Sequence, residues 1–366
     1  MKVLLAAINA KYIHSNLGIY SLKTYGEKML KEWGLAEQAE ISLAEYTINH
    51  QMEQILQDIY KRKPDVIGFS CYIWNIVYVK ELIHDLKKVL PQVRIWMGGP
   101  EASYDAVHLM DELPEVELIM QGEGEETFTR LVEACECGTE VCFSELPGIV
   151  LRRSDGTIEV HRPAPLMNLD DIPFSYGDLS GLEHRIIYYE SSRGCPFSCA
   201  YCLSSIDKKL RFRSLDLVLP ELEWFLQAKV PQVKFVDRTF NCKKSHAMAI
   251  WQYIRDHDNG VTNFHFEIAA DLLDKDELDL LSTMRPGLVQ LEIGVQSTNE
   301  KTLEAIRRKT DIEEIREITE TINSWHNIHQ HLDLIAGLPY EDMGSFIRSF
   351  NAVSYTHLTL PTILLV

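Results

Sequence analysis

Residues 186–204 read IIYYESSRGCPFSCAYCLS. The β-prone run at 186–190 opens into a loop carrying Cys195, Cys199 and Cys202, spaced C-x3-C-x2-C. Thiolates hold iron–sulfur clusters, and the cubane form has one more iron than this loop has thiolates. One metal corner then stays open, and an open position is where a substrate or cofactor binds, as at catalytic zinc. Zinc is a competing occupant. It needs a fourth ligand, and no Cys or His follows at a typical short spacing. Chance is the third reading, and it must gather three of the 8 cysteines into eight positions. The cluster is adopted because the flanking pattern agrees with it.

Downstream, strand and helix periods alternate. Strand-type runs lie at 233–237, 264–268, 288–294 and 331–335, and helical patterns at 215–228, 244–256, 274–284, 299–308 and 311–325. With 186–190 these form βα units, which predict a parallel barrel or open half-barrel with its site at the C-terminal strand ends. Those ends are polar: Asp237-Arg238-Thr239, Glu267 with Asp271, Glu292 with Gln296-Ser297, and Gly337-Leu338-Pro339. Carboxylates buried there suit an ammonium or ribose hydroxyls, since charge-assisted hydrogen bonds are the strong ones. A helix N-cap or loop hydrogen bond is the plainer role for each. Lys208, Lys209, Arg211 and Arg213 form a basic run beside the cysteines. It reads as a solvated face from which one Arg could meet a carboxylate.

Upstream, apolar runs at 3–8, 40–46, 66–70, 93–97 and 116–120 alternate with helical patterns near 18–33, 51–62, 76–89, 104–112 and 125–136. This predicts a Rossmann-like, doubly wound parallel sheet, with a ligand beyond its C-terminal strand ends. Three segments fall there: 70–75 (SCYIWN), 98–103 (GGPEAS) and 122–125 (GEGE). Neither G-x-G-x-x-G nor G-x-x-x-x-G-K-[ST] is present, so dinucleotide and P-loop readings lose support. A connector at 138–183 holds a hairpin pattern around Ser154-Asp155-Gly156 and an extended, proline-bearing stretch. Cys135, Cys137 and Cys142 near its start read as unpaired thiols, with a metal group as the alternative.

The chain has 366 residues, which predicts two or three domains, and 46% are hydrophobic, as in a globular protein. Lys plus Arg is 36 against 54 Asp plus Glu, a net charge of −18 that argues against a broad nucleic-acid footprint. No apolar run of about 18 residues predicts a membrane span. No signal-peptide cleavage pattern follows Met1, so the protein is expected to be cytoplasmic, with thiols rather than disulfides.

The loop GCPFSCAYC resembles that of the radical SAM enzymes, whose C-x3-C-x-aromatic-C signature binds a 4Fe-4S cluster. In that family the open iron holds S-adenosylmethionine, and one electron from the cluster releases a 5′-deoxyadenosyl radical. The resemblance implies Cys195, Cys199 and Cys202 as cluster ligands and Tyr201 against the adenine. It implies Asp237 in the role of the second-strand acidic motif, and Gln296 and Ser297 in that of the fourth-strand segment EIGVQS. With Glu267 and Glu292 these are the expected S-adenosylmethionine contacts. The segments GGPEAS and QGEGEETF resemble the cobalamin-binding domains that precede radical SAM domains. This implies cobalamin contacts at Ser70, Gly98, Gly99, Pro100, Gly122, Glu123 and Gly124. Many such domains supply a cobalt ligand from an Asp-x-His-x-x-Gly loop. Here no Asp stands two before His14, and Gly18 is four after it. Cobalamin without a His ligand from this loop is implied.

The expected organisation is a cobalamin-binding-like domain at 1–137, the connector at 138–183 and a partial (βα)6 radical SAM barrel of TIM-like type at 184–352. Residues 353–362 (VSYTHLTLPT) resemble a translated sequencing-library adapter, so 353–366 is set apart as a non-native tail. A chain cut near Ala352 would leave the strand near 331–335 as an open edge, with lower solubility and activity expected. The implied function is a cobalamin-dependent radical SAM enzyme that transfers a methyl group to an unactivated carbon. Radical cyclisation or rearrangement without methylation is the second reading, and a non-catalytic iron–sulfur or zinc protein the third. The implied partners are a small-molecule or lipid-like substrate and an external one-electron donor such as a flavodoxin or ferredoxin.

Overall fold

The structure, a computed structural model, describes residues 1–137, 143, 145–206 and 208–356. They divide into two compact units, Met1–Arg185 and Ile186–Val366.

The first unit runs β1 (Lys2–Asn9), α1 (Leu17–Glu32), β2 (Glu40–Thr47), α2 (Met52–Arg62), β3 (Val66–Ser70), α3 (Ile76–Val89), β4 (Arg94–Gly98), α4 (Pro100–Ser103), α5 (Ala106–Glu112), β5 (Leu118–Met120), α6 (Glu125–Cys137), β6 (Ile149–Arg152) and β7 (Ile158–Val160). The strands form one 7-stranded sheet in the order β2-β1-β3-β4-β5-β6-β7. In β1, Leu4, Ala6 and Ile8 enter one core layer, and Val3, Leu5 and Ala7 the other. Such two-sided burial is what a parallel strand covered by helices requires. The order reverses direction at β1, so β1 and β3 bound the crevice where ligands bind in open sheets.

Two features differ from the sequence reading. The hairpin is part of the sheet: β6 pairs antiparallel with β5, and β7 with β6. Ile149, Val150 and Leu151 are buried and extend the core. The helix expected at 104–112 starts earlier, because Pro100 occupies the first turn of α4, and the chain breaks at Tyr104-Asp105 before α5.

The second unit runs β8 (Ile187–Tyr189), β9 (Ser192–Arg193), β10 (Arg211–Phe212), α7 (Leu215–Gln227), β11 (Gln232–Phe235), α8 (Lys244–Asp256), β12 (Asn263–Ile268), α9 (Lys275–Ser282), β13 (Val289–Gln296), α10 (Glu300–Ala305), α11 (Ile312–Trp325), β14 (His329–Leu334) and α12 (Met343–Thr356). A 5-stranded parallel sheet has the order β14-β13-β12-β11-β8, and β9 and β10 form a separate antiparallel ribbon. Residues alternate along β13: Val289, Leu291, Ile293 and Val295 are buried, while Gln290, Glu292, Gly294 and Gln296 line the other face. The buried face packs on an aromatic core, with Phe266 4.6 Å from Phe235 and 4.3 Å from Phe240 between ring centres. The opposite face is polar and carries Lys234, His265, Glu267, Glu292, His331 and Asp333. The helix α12 continues through Val353, into the stretch set apart as foreign, and residues after Thr356 lie outside the described ones.

Candidate cofactor sites

In the second unit the cysteine loop follows β9 and is pinned on three sides. The Ala200 amide donates to the Ile306 carbonyl at 2.8 Å, just beyond α10. Cys195 Sγ lies 3.7 Å from Thr239 Oγ1, past the end of β11. Arg308 reaches the loop from the segment after α10. One of its terminal nitrogens lies 3.9 Å from Cys199 Sγ and 3.3 Å from the Tyr201 hydroxyl, and the other donates to the Gly294 carbonyl of β13. Its buried Nε has no hydrogen-bond partner. Arg308 was missed in the sequence because only the fold brings it to a loop more than a hundred residues away. A basic residue shortly after the EIGVQS segment was its only trace.

Cys195 and Cys199 are buried and Cys202 is partly so. Among the described residues, no three His, Cys, Asp or Glu side chains converge tightly enough to hold a single ion. A cube takes each thiolate on a different iron, so its ligands stand apart along one loop, and this donor set of three soft sulfurs fits that group. The thiols at the start of the connector differ. Cys135 Sγ accepts from Arg94 at 2.9 Å, and the rest of that group lies outside the described side chains.

The expected S-adenosylmethionine residues fall into two sets. Glu267 and Glu292 are neighbours in register on β12 and β13. Lys234 of β11 lies 2.7 Å from Glu292 and 3.5 Å from Glu267. His265 stands 3.0 Å from Glu292, and the proximity of its ring nitrogen, with help from Lys234, holds that carboxyl down at about 2. Burial pushes Glu267 above the usual carboxylate range, against the opposing pull of Lys234. Partial burial, then repulsion from Glu292, does the same to Asp333 on β14, a residue the sequence reading passed over. Gln296 ends β13 at a register shift and holds a left-handed φ of 69°. Strain of that kind persists where surrounding structure enforces it, often at ligand sites.

Asp237 and Ser297 are engaged internally. Asp237 is fully buried and accepts from the Ser191 amide at 2.9 Å, the Ser191 hydroxyl at 2.7 Å and the Ser192 hydroxyl at 2.5 Å. Burial raises its pKa to about 6. It thereby ties the exit of β8 to that of β11. The buried Ser297 hydroxyl donates to Glu341 at 2.8 Å and accepts from the Asn299 amide. Tyr201 is about two-fifths exposed, at 38%, and its hydroxyl reaches Arg308.

In the first unit the C-terminal strand ends form a glycine-lined cradle. Ser70 and Gly98 are partners in register, and the Cys71 amide donates to the Gly98 carbonyl at 2.8 Å. Gly99 has φ 96°, and a Cβ there would stand 2.6 Å from the Cys71 carbonyl, so no side chain fits. Pro100 follows at the start of α4. Gly122 leaves β5 beside open space, with Gly124 two residues on, while Glu123 is held by the Met167 amide at 2.8 Å. Glu45 organises the neighbouring loop: it accepts from Asn9, the Asn16 amide, Tyr20 and Arg185, each within 2.8–2.9 Å. Past β3, Tyr72 and Trp74 stack with ring centres 4.4 Å apart and Ile73 is 78% exposed. A large apolar surface of that kind at a ligand crevice marks a binding face. Bare backbone plus flat apolar area fits a broad cofactor such as cobalamin.

A glycine-lined doubly wound sheet, followed by a parallel β/α sheet with three thiols after its first strand, defines a two-cofactor protein with one site per unit. Residues 3–132 match the family described as B12 binding domain, and residues 189–353 the Radical SAM superfamily. The chain thus carries a B12-binding domain followed by a radical SAM domain. Those two domains take cobalamin in the first case, and S-adenosylmethionine with a 4Fe-4S cluster in the second.

The chain is 28% identical over 304 residues to the cobalamin-dependent radical SAM methyltransferase TokK of Streptomyces tokunonensis, covering 78% of this chain and 44% of that one. It is 24% identical over 301 residues to an anaerobic magnesium-protoporphyrin IX monomethyl ester cyclase of Rubrivivax gelatinosus, covering 79% and 54%. The chain thus spans about half the length of these curated relatives. The fold is shared with the radical S-adenosylmethionine methyltransferase TsrM of Kitasatospora setae, at a TM-score of 0.77 and 17% identity over 97% of this chain and 73% of that one.

Proposed function

We propose that the chain cleaves S-adenosylmethionine reductively and, with cobalamin on its first unit, methylates an unactivated carbon of a small-molecule or lipid-like substrate. The observation that carries this is the cysteine loop, linked by Arg308 from the Cys199 thiol to the Gly294 carbonyl of β13, the strand that carries Glu292. When bound, the cluster supplies the electron that breaks the sulfonium bond to the 5′ carbon. Cys195, Cys199 and Cys202 hold it. Glu267 receives the methionine ammonium, Arg308 the carboxylate, and Gln296 and Asp333 the ribose hydroxyls, while Tyr201 lies against the adenine. Glu292 acts through the lysine it shares with Glu267. Asp237 and Ser297 hold the strand exits in place, the role their internal hydrogen bonds support. Ser70, Gly98, Gly99, Pro100, Gly122 and Gly124 offer backbone to the cobalamin, with Glu123 bracing the last turn. The setting proposed is the cytoplasm, where thiols stay reduced; among the described residues no helix is long and apolar enough to cross a membrane.

Non-methylating radical chemistry is the second reading, favoured by the similarity to a cyclase as well as to methyltransferases. Anaerobic reconstitution with iron, sulfide and cobalamin separates the cases. Methylation yields S-adenosylhomocysteine with 5′-deoxyadenosine, whereas the second route yields only the latter. Replacing any of Cys195, Cys199 or Cys202 by Ala is expected to abolish cluster absorbance and 5′-deoxyadenosine. A protein that loads iron and is reduced, yet never cleaves S-adenosylmethionine, would sink both enzyme readings.

A further inference from the structure

We propose that the exposed lysines behind the cysteine loop, Lys208, Lys209 and Lys243, form the docking face for an acidic one-electron carrier protein. The inference rests on the cluster reading above and adds to it the surface through which the electron arrives.

The basic segment is built against the back of the loop. The ribbon pairs Arg211 with Arg193 and Phe212 with Ser192, just ahead of the first cysteine. Gly194 has φ 92°, and a Cβ there would lie 2.6 Å from the Lys209 carbonyl, so the two backbones touch. Lys208 Nζ donates to Ser198 Oγ at 2.9 Å, and Ser198 is the residue before Cys199. An exposed ammonium and a cluster thiol are thus separated by one side-chain hydrogen bond and one peptide link. Lys243 joins from the other side, its ammonium 4.7 Å from the centre of the Phe212 ring. All three lysines are exposed. Among the nearby cations, Arg193 lies 2.8 Å from Glu190, Arg213 2.5 Å from Glu221, and Lys244 pairs with Asp274 and Asp276.

Charge identifies the partner. The chain carries a net charge of −18, so an acidic protein is repelled over most of the surface and attracted at this face. Complementary patches of that kind orient an encounter and raise its rate more than its final affinity. A nucleic acid needs many phosphate contacts to offset a repulsive surface, and three lysines supply few. One electron leaves the carrier and enters the cluster, so the carrier is oxidised by one equivalent and the cluster reduced by one. No proton or bond moves in that step.

The test uses the reconstituted, cobalamin-loaded protein and follows cluster reduction by electron paramagnetic resonance and rapid-mixing absorbance. Dithionite, a reduced flavodoxin and a reduced plant-type ferredoxin are the three reductants, and the last two separate a flavin carrier from an iron–sulfur one. Reduction by at least one carrier is expected to slow steeply with added salt, and by about 10-fold in K208E/K209E/K243E at low salt. Dithionite is expected to reduce variant and parent alike, and the all-arginine variant to keep parental rates. If the triple variant takes up no iron, K243E alone, which leaves the Lys208–Ser198 contact intact, is expected to show a smaller slowing. Carrier-driven rates that are equal in parent and variants, or indifferent to salt, overturn the proposal. If dithionite fails to reduce the parent, the cluster reading itself fails, and the docking face falls with it.

Discussion

Asp237 shows how a single buried carboxylate can be both a clamp and a liability. Its three hydrogen bonds fix Ser191 and Ser192 where β8 turns toward the cysteines, yet burial lifts its pKa from 3.8 to about 6. A raised acid contributes stability below its unfolded pKa and loses it as pH climbs through the folded one. Asp237 is therefore expected to cost the parent about 3 kcal/mol between roughly pH 4 and pH 6. D237N does not titrate, but it faces the Ser191 amide with a second donor and is expected to be less stable by about 1–3 kcal/mol at acid pH. Urea unfolding on both sides of that window should show the gap between the two proteins narrowing as pH rises; a constant gap would contradict the buried-charge account.

Lys234 makes the complementary case, because it sits between carboxylates whose proposed task is recognition. The groups that act on Glu267 include Lys234 of β11, Glu292 of β13, Arg238, Asp333 of β14 and Tyr188 of β8. Those facing Glu292 are Lys234, His265 of β12 and Asp333 of β14, with Tyr188 of β8 beside the lysine. Removing the cation in K234M leaves burial and Glu292 to push the Glu267 carboxyl higher still. S-Adenosylmethionine binding is expected to weaken about 10-fold at neutral pH and to recover toward mildly alkaline pH, while K234R binds normally. Equilibrium dialysis at several pH values checks this, and a loss that ignores pH would make Lys234 a packing residue only. At this scale the three cysteines were singled out in the sequence by their spacing together with the flanking pattern. Arg308 and Asp333 were not, because their roles come from tertiary contacts that no short spacing records.

Among the elements, the strand and helix periods were read with little error, since β1 buries both faces and β13 alternates. What the periods could not show was partnership. The hairpin pattern of β6 and β7 says that two strands pair, and nothing in it says that β6 also pairs with β5. The same limit applies to turns that serve as cofactor cradles. Gly194 and Gly99 both have positive φ, and both would drive a Cβ to 2.6 Å from a backbone carbonyl that cannot swing aside. Ala at either site is expected to shift its own element alone, at about 2 kcal/mol or more. G194A should lose iron uptake and keep cobalamin binding, and G99A should do the reverse. Iron analysis and the cobalamin spectrum read the two arms side by side, and matched losses of both cofactors in each variant would refute the assignment of one cradle to each unit.

For the whole molecule, the hairpin decides where the first unit ends. The expected boundary at 137 would cut β6 and β7 from the sheet. Ile149 and Val150 are fully buried and Leu151 is 4% exposed, so that cut removes three core side chains worth about 1.5–3 kcal/mol each. It also turns β5, whose Leu118 and Ile119 are fully buried, into an unpaired apolar edge, the kind of strand that recruits other chains. The unit Met1–Arg185 keeps the sheet whole, together with the Glu45–Arg185 ion pair at 2.8 Å that steadies the loop after β1. Residues 1–185 are therefore expected to be soluble when produced alone and to bind cobalamin, whereas residues 1–137 should aggregate. At a free cobalamin concentration near 100 times Kd, the longer fragment should gain about 2.7 kcal/mol in unfolding free energy. Size-exclusion chromatography and thermal unfolding with and without cobalamin test this. A soluble, cobalamin-binding 1–137 fragment would show that β6 and β7 merely decorate the sheet, and an insoluble 1–185 fragment would show that the first core is not self-sufficient.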